Sequence, residues 1–205
     1  TLFCYTKIDF ILKIYFDIRM PPINTFIFDC FRVVCEPALG GWYRDYCTKH
    51  NFTDEHLPEV LRQHDLGLLS ENDIFDYFSR YPGITSTREQ IRDETDSYLK
   101  LNEDLVVILK ELKRQGFKVA LLSNANNAFF ERKIYPQYPE FKSLFSEIIV
   151  SSVVGMVKPE PDIYLHTLNL VKSKPEESLF IDDSASSVAG AQALGIHGFV
   201  YTDCP

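Results

Sequence analysis

The residues of this sequence that could do chemistry stand at the ends of predicted strands. They are Asp29 at the end of 25–29, Ser123 and Asn124 at the end of 118–123, Lys158 in the loop after 147–151, and Asp182 with Asp183 at the end of 178–182. A carboxylate at the end of a buried strand is costly unless a group pairs with it, so Asp29 predicts a partner. Together these positions offer a carboxylate that could act as a nucleophile, a hydroxyl with an amide, an ammonium group and a carboxylate pair.

The elements that must position these residues are strands alternating with helices. The strands are predicted at 25–29, 118–123, 147–151, 178–182 and 198–202, and the helices between them at 103–115, 161–172 and 185–194. This alternation predicts βαβ units and a parallel sheet covered on both faces, which is a Rossmann-like three-layer α/β/α core. Ligands of open α/β sheets bind at the carboxyl ends of the strands, so the strand-end residues are predicted to form one site.

One interval, residues 36–101, breaks this alternation. It has almost no strand signal but several helix starts, including Ser70 with Asp73 and Ser86 with Glu89 at the spacing of a capping box. We therefore predict a helical insertion between the first and the second strand.

Length and composition limit the function classes. The chain has 205 residues, a formal net charge of −8 and 45% hydrophobic residues, which is typical of one ordinary globular domain, with or without a small inserted module. The acidic balance argues against non-specific nucleic-acid binding but not against a small anionic ligand. The five cysteines form no C-x-x-C pair, and the histidines no pattern. We therefore expect neither a disulfide framework nor a zinc site, and a cytoplasmic location.

The first segment, residues 1–19, is apolar but interrupted by charges. Lys7, Asp9, Lys13 and Asp17 leave no uncharged run of the about 20 residues that a membrane span requires, and they break up a secretory h-region. The segment is either an extension upstream of a domain that begins at Met20 or an added strand or helix. No membrane association is expected, and the sequence predicts no oligomeric state.

Four motifs carry a resemblance to a known family. In chain order they are FIFDCF, ALLSNAN, GMVKPEPDIY and LFIDDSASSVAGAQALGI. The set resembles the motifs of the haloacid dehalogenase-like (HAD) hydrolase superfamily over residues 23–202. The resemblance implies a core of residues 20–35 and 102–205 with a helical cap at 36–101. Together with YPQYPEF before the third motif, it is similar to the branch of alpha-D-glucose-1-phosphate phosphatase and the phosphatase domain of epoxide hydrolases.

This resemblance implies a nucleophile and a metal site. Asp29 would attack phosphorus to form an aspartyl-phosphate. Asp29, Asp182, Asp183 and the backbone carbonyl of Phe31 would hold Mg²⁺, a hard cation that prefers oxygen ligands.

The resemblance also implies a binding site for the phosphoryl group. Ser123 and the backbone N–H of Asn124 would grip the phosphoryl oxygens, and Lys158 would offset the charge that the nucleophile shares with the phosphate. Arg32 departs from the small or amide residue of many relatives. It could bind substrate phosphate, form a salt bridge to the cap, or crowd the site.

A second departure is Phe31, at the position where most phosphatases of the superfamily carry a second Asp. That Asp protonates the leaving oxygen and later activates water, and a phenyl ring can do neither. Dehalogenases of the superfamily have an aromatic residue there, but they use no metal and have no need of Asp182 and Asp183. The carboxylate pair therefore favours phosphoryl transfer.

The sequence thus predicts a Mg²⁺-dependent phosphatase of small, sugar phosphate-like metabolites. Two alternatives stay open. One is a catalytically weak or inactive phosphometabolite-binding or interaction module on the same fold, and the other is a 2-haloacid dehalogenase-like hydrolase.

Overall fold

Five parallel strands form one sheet in the order β3-β2-β1-β4-β5. The computed structural model describes residues 23–202. The strands are β1 (Thr25–Phe28), β2 (Lys118–Ser123), β3 (Glu147–Val150), β4 (Ser178–Asp182) and β5 (His197–Val200). Each predicted strand is present, with ends shifted by at most two residues. The third ends at Val150 because Ser151 begins a short helix, Ser151–Val154.

Helices of eight or more residues complete the fold. They are α1 (Ala38–His50), α2 (Leu57–Asp65), α3 (Glu71–Phe78), α4 (Arg88–Asp96), α5 (Glu103–Arg114), α6 (Pro161–Val171) and α7 (Ala185–Gln192). The side chain of Asn102 accepts a hydrogen bond from the backbone N–H of Leu105, so the predicted cap of α5 is confirmed. Pro161 occupies the first turn of α6, where its missing N–H is not needed.

The sheet lies between two helical layers because its buried side chains alternate between faces. Phe26 and Phe28 of β1 pack in one core cluster with α5, whereas Ile27 packs in another with α6 and α7. A strand that is buried on both faces requires such a three-layer arrangement. The predicted Rossmann-like α/β/α fold is confirmed.

The interval between β1 and β2 contains helices α1 to α4 and, beyond them, α5 of the core. The four insertion helices surround a cluster rich in aromatic side chains, whose buried members are Trp42, Tyr46, Leu57, Ile74, Phe75, Phe78, Tyr81 and Ile91. This cluster is separate from the two clusters that flank the sheet.

One of the two predicted capping boxes in this interval is correct and one is wrong. Ser70 and Asp73 form a box at the start of α3. The second box is formed by Thr87 and Gln90, not by Ser86 and Glu89. Both pairs have the required spacing, but α4 begins at Arg88 and therefore takes the residue directly before it as its cap.

Contacts from loops and a helix of the core hold the insertion at the carboxyl edge of the sheet. The Asn126 side chain, just beyond β2, donates to the carbonyl of Leu69 at 3.1 Å. The Ser151 hydroxyl, just beyond β3, donates to the carbonyl of Asp65 at 2.6 Å. The insertion therefore lies over the edge where ligands of such sheets bind.

Two predictions concern membrane spans and the first segment of the chain. None of the helices within residues 23–202 is long and apolar enough to cross a membrane. The prediction for residues 1–19 lies outside the described residues.

Candidate active site

The site lies where the central strand and its two neighbours end. Asp29 directly follows β1, Ser123 is the last residue of β2, and Asp182 is the last residue of β4. Since β1 pairs in parallel with both β2 and β4, their carboxyl ends meet at one edge. Lys158, from the loop before α6, reaches the same point.

Lys158 is the pairing partner that the sequence predicted for the buried carboxylate of Asp29. Its Nζ atom lies 2.6 Å from Oδ1 of Asp29 and 2.7 Å from Oδ2 of Asp182. The three side chains are almost fully buried, with exposed fractions of 4% for Lys158, 10% for Asp29 and 2% for Asp182. Buried charges persist only when they are paired and hydrogen-bonded, and here one ammonium joins the ends of two strands.

Burial and pairing act against each other on the pKa values of this pair. Burial raises the pKa of Asp29 to about 6, while the nearby Lys158 opposes the rise. Burial alone would lower the pKa of Lys158, but Asp29 and Asp182 outweigh it and raise that pKa above its ordinary value. At neutral pH the site therefore holds a protonated lysine beside an ionised nucleophile candidate.

The outer part of the site is an ion pair between Arg32 and Asp183. Nη1 of Arg32 lies 3.4 Å from Oδ2 of Asp183, and the Arg32 side chain is 57% exposed. Burial and the neighbouring Asp182 raise the pKa of Asp183, and Arg32 opposes this rise. The structure pairs Arg32 with Asp183 of the core, so of the three possibilities that the sequence left open for this side chain, a salt bridge to the insertion is not the one formed here.

A tight loop after β1 places Arg32 there. The backbone N–H groups of Val34 and Cys35 both donate to the carbonyl of Cys30, which turns the chain back on itself. Arg32 takes a φ of +63° in this loop, a left-handed conformation that is uncommon for residues other than glycine. This turn brings the Arg32 side chain to Asp183, while the Phe31 ring lies near those of Phe129 and Phe130.

Ser123 and Asn124 lie in the site in different ways. The Ser123 hydroxyl is buried and has no hydrogen-bond partner within residues 23–202. The Asn124 side chain instead holds the backbone of Lys158. It donates to the Lys158 carbonyl at 2.9 Å and accepts from the Lys158 N–H at 2.8 Å. Sequence reasoning assigned only the backbone of Asn124, because nothing in the spacing links residue 124 to residue 158.

Phe31 packs against aromatic side chains. Its ring centroid lies 6.0 Å from that of Phe129 and 6.4 Å from that of Phe130. Phe130 begins a π-helical turn, Phe130–Ile134, between two short helical segments. The second residue after Asp29 therefore contributes apolar packing in place of the proton donor that a second Asp would provide.

The acidic residues of the site suit a hard divalent cation. One carboxylate oxygen from each of Asp29, Asp182 and Asp183 lies within 4.8 Å of the others. Oxygen-only ligands from converging carboxylates are the set that Mg²⁺ prefers. The three carboxylates are partly balanced by Lys158 and Arg32, so an added cation would relieve their mutual repulsion.

His64 is a candidate that the sequence did not suggest. Sequence reasoning found no pattern among the histidines, yet His64 is buried at the end of α2, beside the loop that follows β2. Its Nε2 atom has no hydrogen-bond partner in the described part of the chain. Only the packing of the insertion on the core places His64 there, because no motif surrounds residue 64.

These features define a Rossmann-like enzyme class with an acidic site, a buried lysine and a helical insertion after the first strand. The family model of haloacid dehalogenase-like hydrolases matches residues 32–195. The chain belongs to this hydrolase family.

Several curated relatives are phosphatases. The chain is 27% identical to a sesquiterpene phosphatase of Aspergillus oryzae over 71% of this chain and 74% of that protein. It is 30% identical to a pyrophosphatase of Bacillus cereus over 55% of this chain and 51% of that protein. It is 34% identical to bifunctional epoxide hydrolase 2 of Rattus norvegicus over 47% of this chain and only 18% of that protein. The chain thus spans about half or less of two of these relatives.

Solved structures share the fold. A HAD family enzyme of Bacteroides thetaiotaomicron is 24% identical and has a TM-score of 0.71, covering 89% of this chain and 95% of that chain. The same enzyme in complex with magnesium and inorganic phosphate has a TM-score of 0.67 at 24% identity, over 88% and 94% of the two chains. A dehalogenase has a TM-score of 0.63 at 18% identity, over 86% and 83%. At these identities the likeness concerns the fold alone.

Proposed function

We propose that this protein is a Mg²⁺-dependent phosphatase of small phosphorylated metabolites, in which Asp29 is the nucleophile. The observation that carries the proposal is the contact of Lys158 Nζ with Asp29 and Asp182, at 2.6 and 2.7 Å, beside the third carboxylate, Asp183. This arrangement brings a fixed cation and a candidate divalent-cation site to the same nucleophile. The phosphatases among its relatives support the same reaction class.

The reaction proceeds in two displacements at phosphorus. A carboxylate oxygen of Asp29 attacks the phosphorus atom, and the bond between phosphorus and the ester oxygen breaks. The alcohol leaves with that electron pair and takes up a proton. Water then attacks the phosphorus of the aspartyl-phosphate and loses a proton, which releases inorganic phosphate and regenerates the carboxylate.

The charge of the first step is balanced by Lys158. Its raised pKa keeps the ammonium protonated, and its position between two carboxylates lets it contact both nucleophile and phosphoryl group. When bound by Asp29, Asp182, Asp183 and the backbone carbonyl of Phe31, Mg²⁺ would supply the positive charge that lets a carboxylate approach a phosphate dianion.

Hydrogen-bond donors around the site fit the phosphoryl oxygens. A phosphoryl oxygen would satisfy the Ser123 hydroxyl, which is buried without a partner in residues 23–202. The backbone N–H of Asn124 is the second donor in the proposal, and the Asn124 side chain positions Lys158. A cation held by Asp183 would weaken that residue's pair with Arg32, freeing the guanidinium to bind phosphate.

Phe31 limits which esters are cleaved fast. General acid catalysis typically contributes about 10²–10⁴-fold in rate, and Phe31 cannot provide it. The loss is smallest when the alcohol is a good leaving group, such as a sugar anomeric oxygen or a phenol. The proposed enzyme therefore favours esters of acidic alcohols.

The proposal is tested by measuring phosphate release with and without Mg²⁺ from a panel of phosphate monoesters that includes p-nitrophenyl phosphate. We expect turnover by the unmodified protein with Mg²⁺ and none above background by Asp29→Asn. Asp93→Asn is a matched control, because Asp93 is 76% exposed and lies in the insertion. Equal turnover by Asp29→Asn and the unmodified protein would refute the proposal.

A second candidate function is a non-catalytic binding module for phosphorylated metabolites, and Phe31 is the observation that favours it. In that case Mg²⁺ with beryllofluoride raises the melting temperature while turnover is zero. Phe31→Asp then creates activity, because it supplies the missing acid beside an otherwise complete site. Haloacid dehalogenation, the third hypothesis, predicts halide release from 2-haloacids, but it leaves Asp183 without a role.

A further inference from the structure

A cavity of about 220 Å³ opens beside the active site, between the insertion and the core. Phe31 and Asn124 line its end towards the site, and α1, α2, α3 and the segment after β2 line its other walls. A cavity of roughly 150 Å³ with apolar walls is enough to hold benzene, so this one accepts a larger group. Its place next to Phe31 makes it a candidate compartment for the part of a substrate that lies beyond the phosphate.

Carbon atoms make up most of the cavity wall. Phe31, Leu61, Ile74, Phe75 and Phe129 contribute aromatic and aliphatic side chains. An apolar group that leaves water for such a cavity gains free energy in proportion to the area it buries.

Most polar side chains that reach the wall have hydrogen-bond partners in the protein, and the Asp65 carboxylate lies 3.7 Å from Nδ1 of His64. Glu71 is paired with Arg132, the Thr95 hydroxyl donates to the Ile91 carbonyl, and Asn126 donates to Leu69. The Asn124 side chain holds Lys158. A hexose, with hydroxyl groups on most of its carbons, would be left with unmade hydrogen bonds in this cavity.

His64 is the wall residue with a buried nitrogen that has no partner within residues 23–202. It is buried, with 8% of its surface exposed, and its Nε2 atom has no hydrogen-bond partner in residues 23–202. A buried nitrogen without a partner carries a free-energy penalty in the unliganded protein, which a bound oxygen atom would remove. This second, independent observation points to a ligand in the cavity.

We propose that the site takes monophosphate esters of apolar alcohols, with the apolar group in this cavity and an oxygen of the ester hydrogen-bonded to Nε2 of His64. The inference rests on the proposed phosphatase function and replaces a sugar-like alcohol with an apolar one. His64 would thus be a polar contact for the ester in a cavity where the Phe31 side chain, which has no polar atom, provides none.

The substrate class is tested with phenyl, para-ethylphenyl and para-butylphenyl phosphates. The acidity of the phenol hardly changes along this series, so differences in kcat/KM report burial of the alkyl group. We expect each pair of added methylene groups to raise kcat/KM by roughly tenfold until the cavity is full. A hexose phosphate is expected to fall below phenyl phosphate. A flat series, or a preference for the hexose phosphate, would overturn the inference.

A pair of variants tests whether this cavity is the compartment. Leu61→Gln places an amide in the wall at a half-buried residue, and we expect it to lower the ratio of para-butylphenyl to phenyl kcat/KM by roughly tenfold. Leu165→Gln makes the same change at a residue that is 49% exposed on α6, and it should leave the ratio unchanged. Equal ratios in the two variants would place the alkyl group elsewhere.

His64→Phe separates ligand binding from a structural role. The phenyl ring keeps the shape and removes the unpartnered Nε2 together with the 3.7 Å contact of Nδ1 with Asp65. These two changes oppose each other, so we expect little change in melting temperature, with kcat/KM lower by about tenfold for every aryl phosphate. His56→Phe, at an exposed residue that precedes the same helix, is the control. A lower melting temperature with unchanged kcat/KM would show that His64 is structural.

Failure of this inference is distinguishable from failure of the proposed function. If Asp29→Asn abolishes phosphate release but the alkyl series is flat, the enzyme is a phosphatase and the apolar class is wrong. If the unmodified protein releases no phosphate from any ester, both fail.

Discussion

Lys158 and Arg132 each join two carboxylates, yet the two clusters differ in burial and in what they connect. Lys158 is 4% exposed and connects Asp29 with Asp182, both at strand ends of the core. Arg132 is 30% exposed and connects the core to two insertion helices through Glu71 and Asp96. The first cluster lies at the strand ends, and the second links the segment after β2 to α3 and α4.

The chemistry of the two cations explains the difference. The Arg132 guanidinium meets both of its partners with two hydrogen bonds each, at 2.9 and 2.8 Å to Glu71 and at 2.5 and 2.9 Å to Asp96. Such planar, paired contacts set orientation, which suits a joint between two parts. The Lys158 ammonium makes one contact to each carboxylate and acts as a point charge without a fixed orientation. Each cluster has one cation and two carboxylates. The guanidinium of Arg132 fixes the orientation of its partners, whereas the ammonium of Lys158 does not.

The largest effect is expected for Lys158→Met, which breaks the buried cluster. It leaves Asp29 and Asp182 close together without their cation, and removing one member of a buried ion pair typically costs about 3–5 kcal/mol. Turnover should fall by at least about 10²-fold, because a donor at the developing charge is lost. Denaturant unfolding and steady-state kinetics measure the two effects. Unchanged stability would mean that Lys158 is not the main partner of these carboxylates.

Next in size is the stabilisation by Mg²⁺, which should act on only one of the two clusters. A ligand present at 100 times its dissociation constant adds about 2.7 kcal/mol to the free energy of unfolding. We expect the melting temperature to rise with Mg²⁺, and Asp183→Asn to reduce that rise. Glu71→Gln is the control, since Glu71 pairs with Arg132. An equal rise in both variants would place the cation outside the acidic site.

A smaller effect is expected for Arg132→Lys, which keeps the charge but removes the paired contacts. We expect a loss of about 2 kcal/mol, since hydrogen bonds between charged groups contribute roughly 1.5–3 kcal/mol and this side chain is partly exposed. KM should rise more than kcat falls, because the insertion is positioned less well over an intact site. A selective fall in kcat would show that this joint takes part in the chemical step.

The smallest effect concerns Asp54, which lies within the insertion and contacts neither cluster. Its carboxylate accepts hydrogen bonds from Tyr77 at 2.6 Å and Tyr81 at 2.7 Å. Burial would raise the pKa of Asp54, but these hydrogen bonds outweigh it and hold the pKa below the ordinary 3.8. Its stabilisation is therefore present above pH 3.8 and lost as the pH falls through the lowered folded value.

Asp54→Asn tests this pH dependence. At neutral pH we expect a loss of about 1 kcal/mol and no change in turnover, since the tyrosine hydrogen bonds are weakened. As the pH falls from 3.8 through the lowered folded pKa of Asp54, the variant and the unmodified protein should converge in melting temperature. A constant difference at all pH values would contradict the role of the charge.

The sequence alone determined the strands, the main helices and the residues at the strand ends. This worked because apolar runs of a parallel sheet and caps such as Asn102 are local signals, and each depends on a few neighbouring residues. The error at Ser86 and Glu89 has the same origin. Two overlapping capping patterns satisfy one local rule, and only the packed start of α4 selects Thr87.

Tertiary structure decided how these residues meet. Lys158 lies 129 positions from Asp29 in the chain, and no pattern specifies that its ammonium reaches both Asp29 and Asp182. The same is true of three further features. They are the hydrogen bond from Asn124 to Lys158, the ion pair of Arg32 with Asp183, and the position of His64 in the cavity wall. Such contacts join elements that are distant in sequence, so they exist only once the sheet and the insertion have packed. Residue types therefore predicted which groups stand at the strand ends, and packing set which of them share charge and which residues line the cavity.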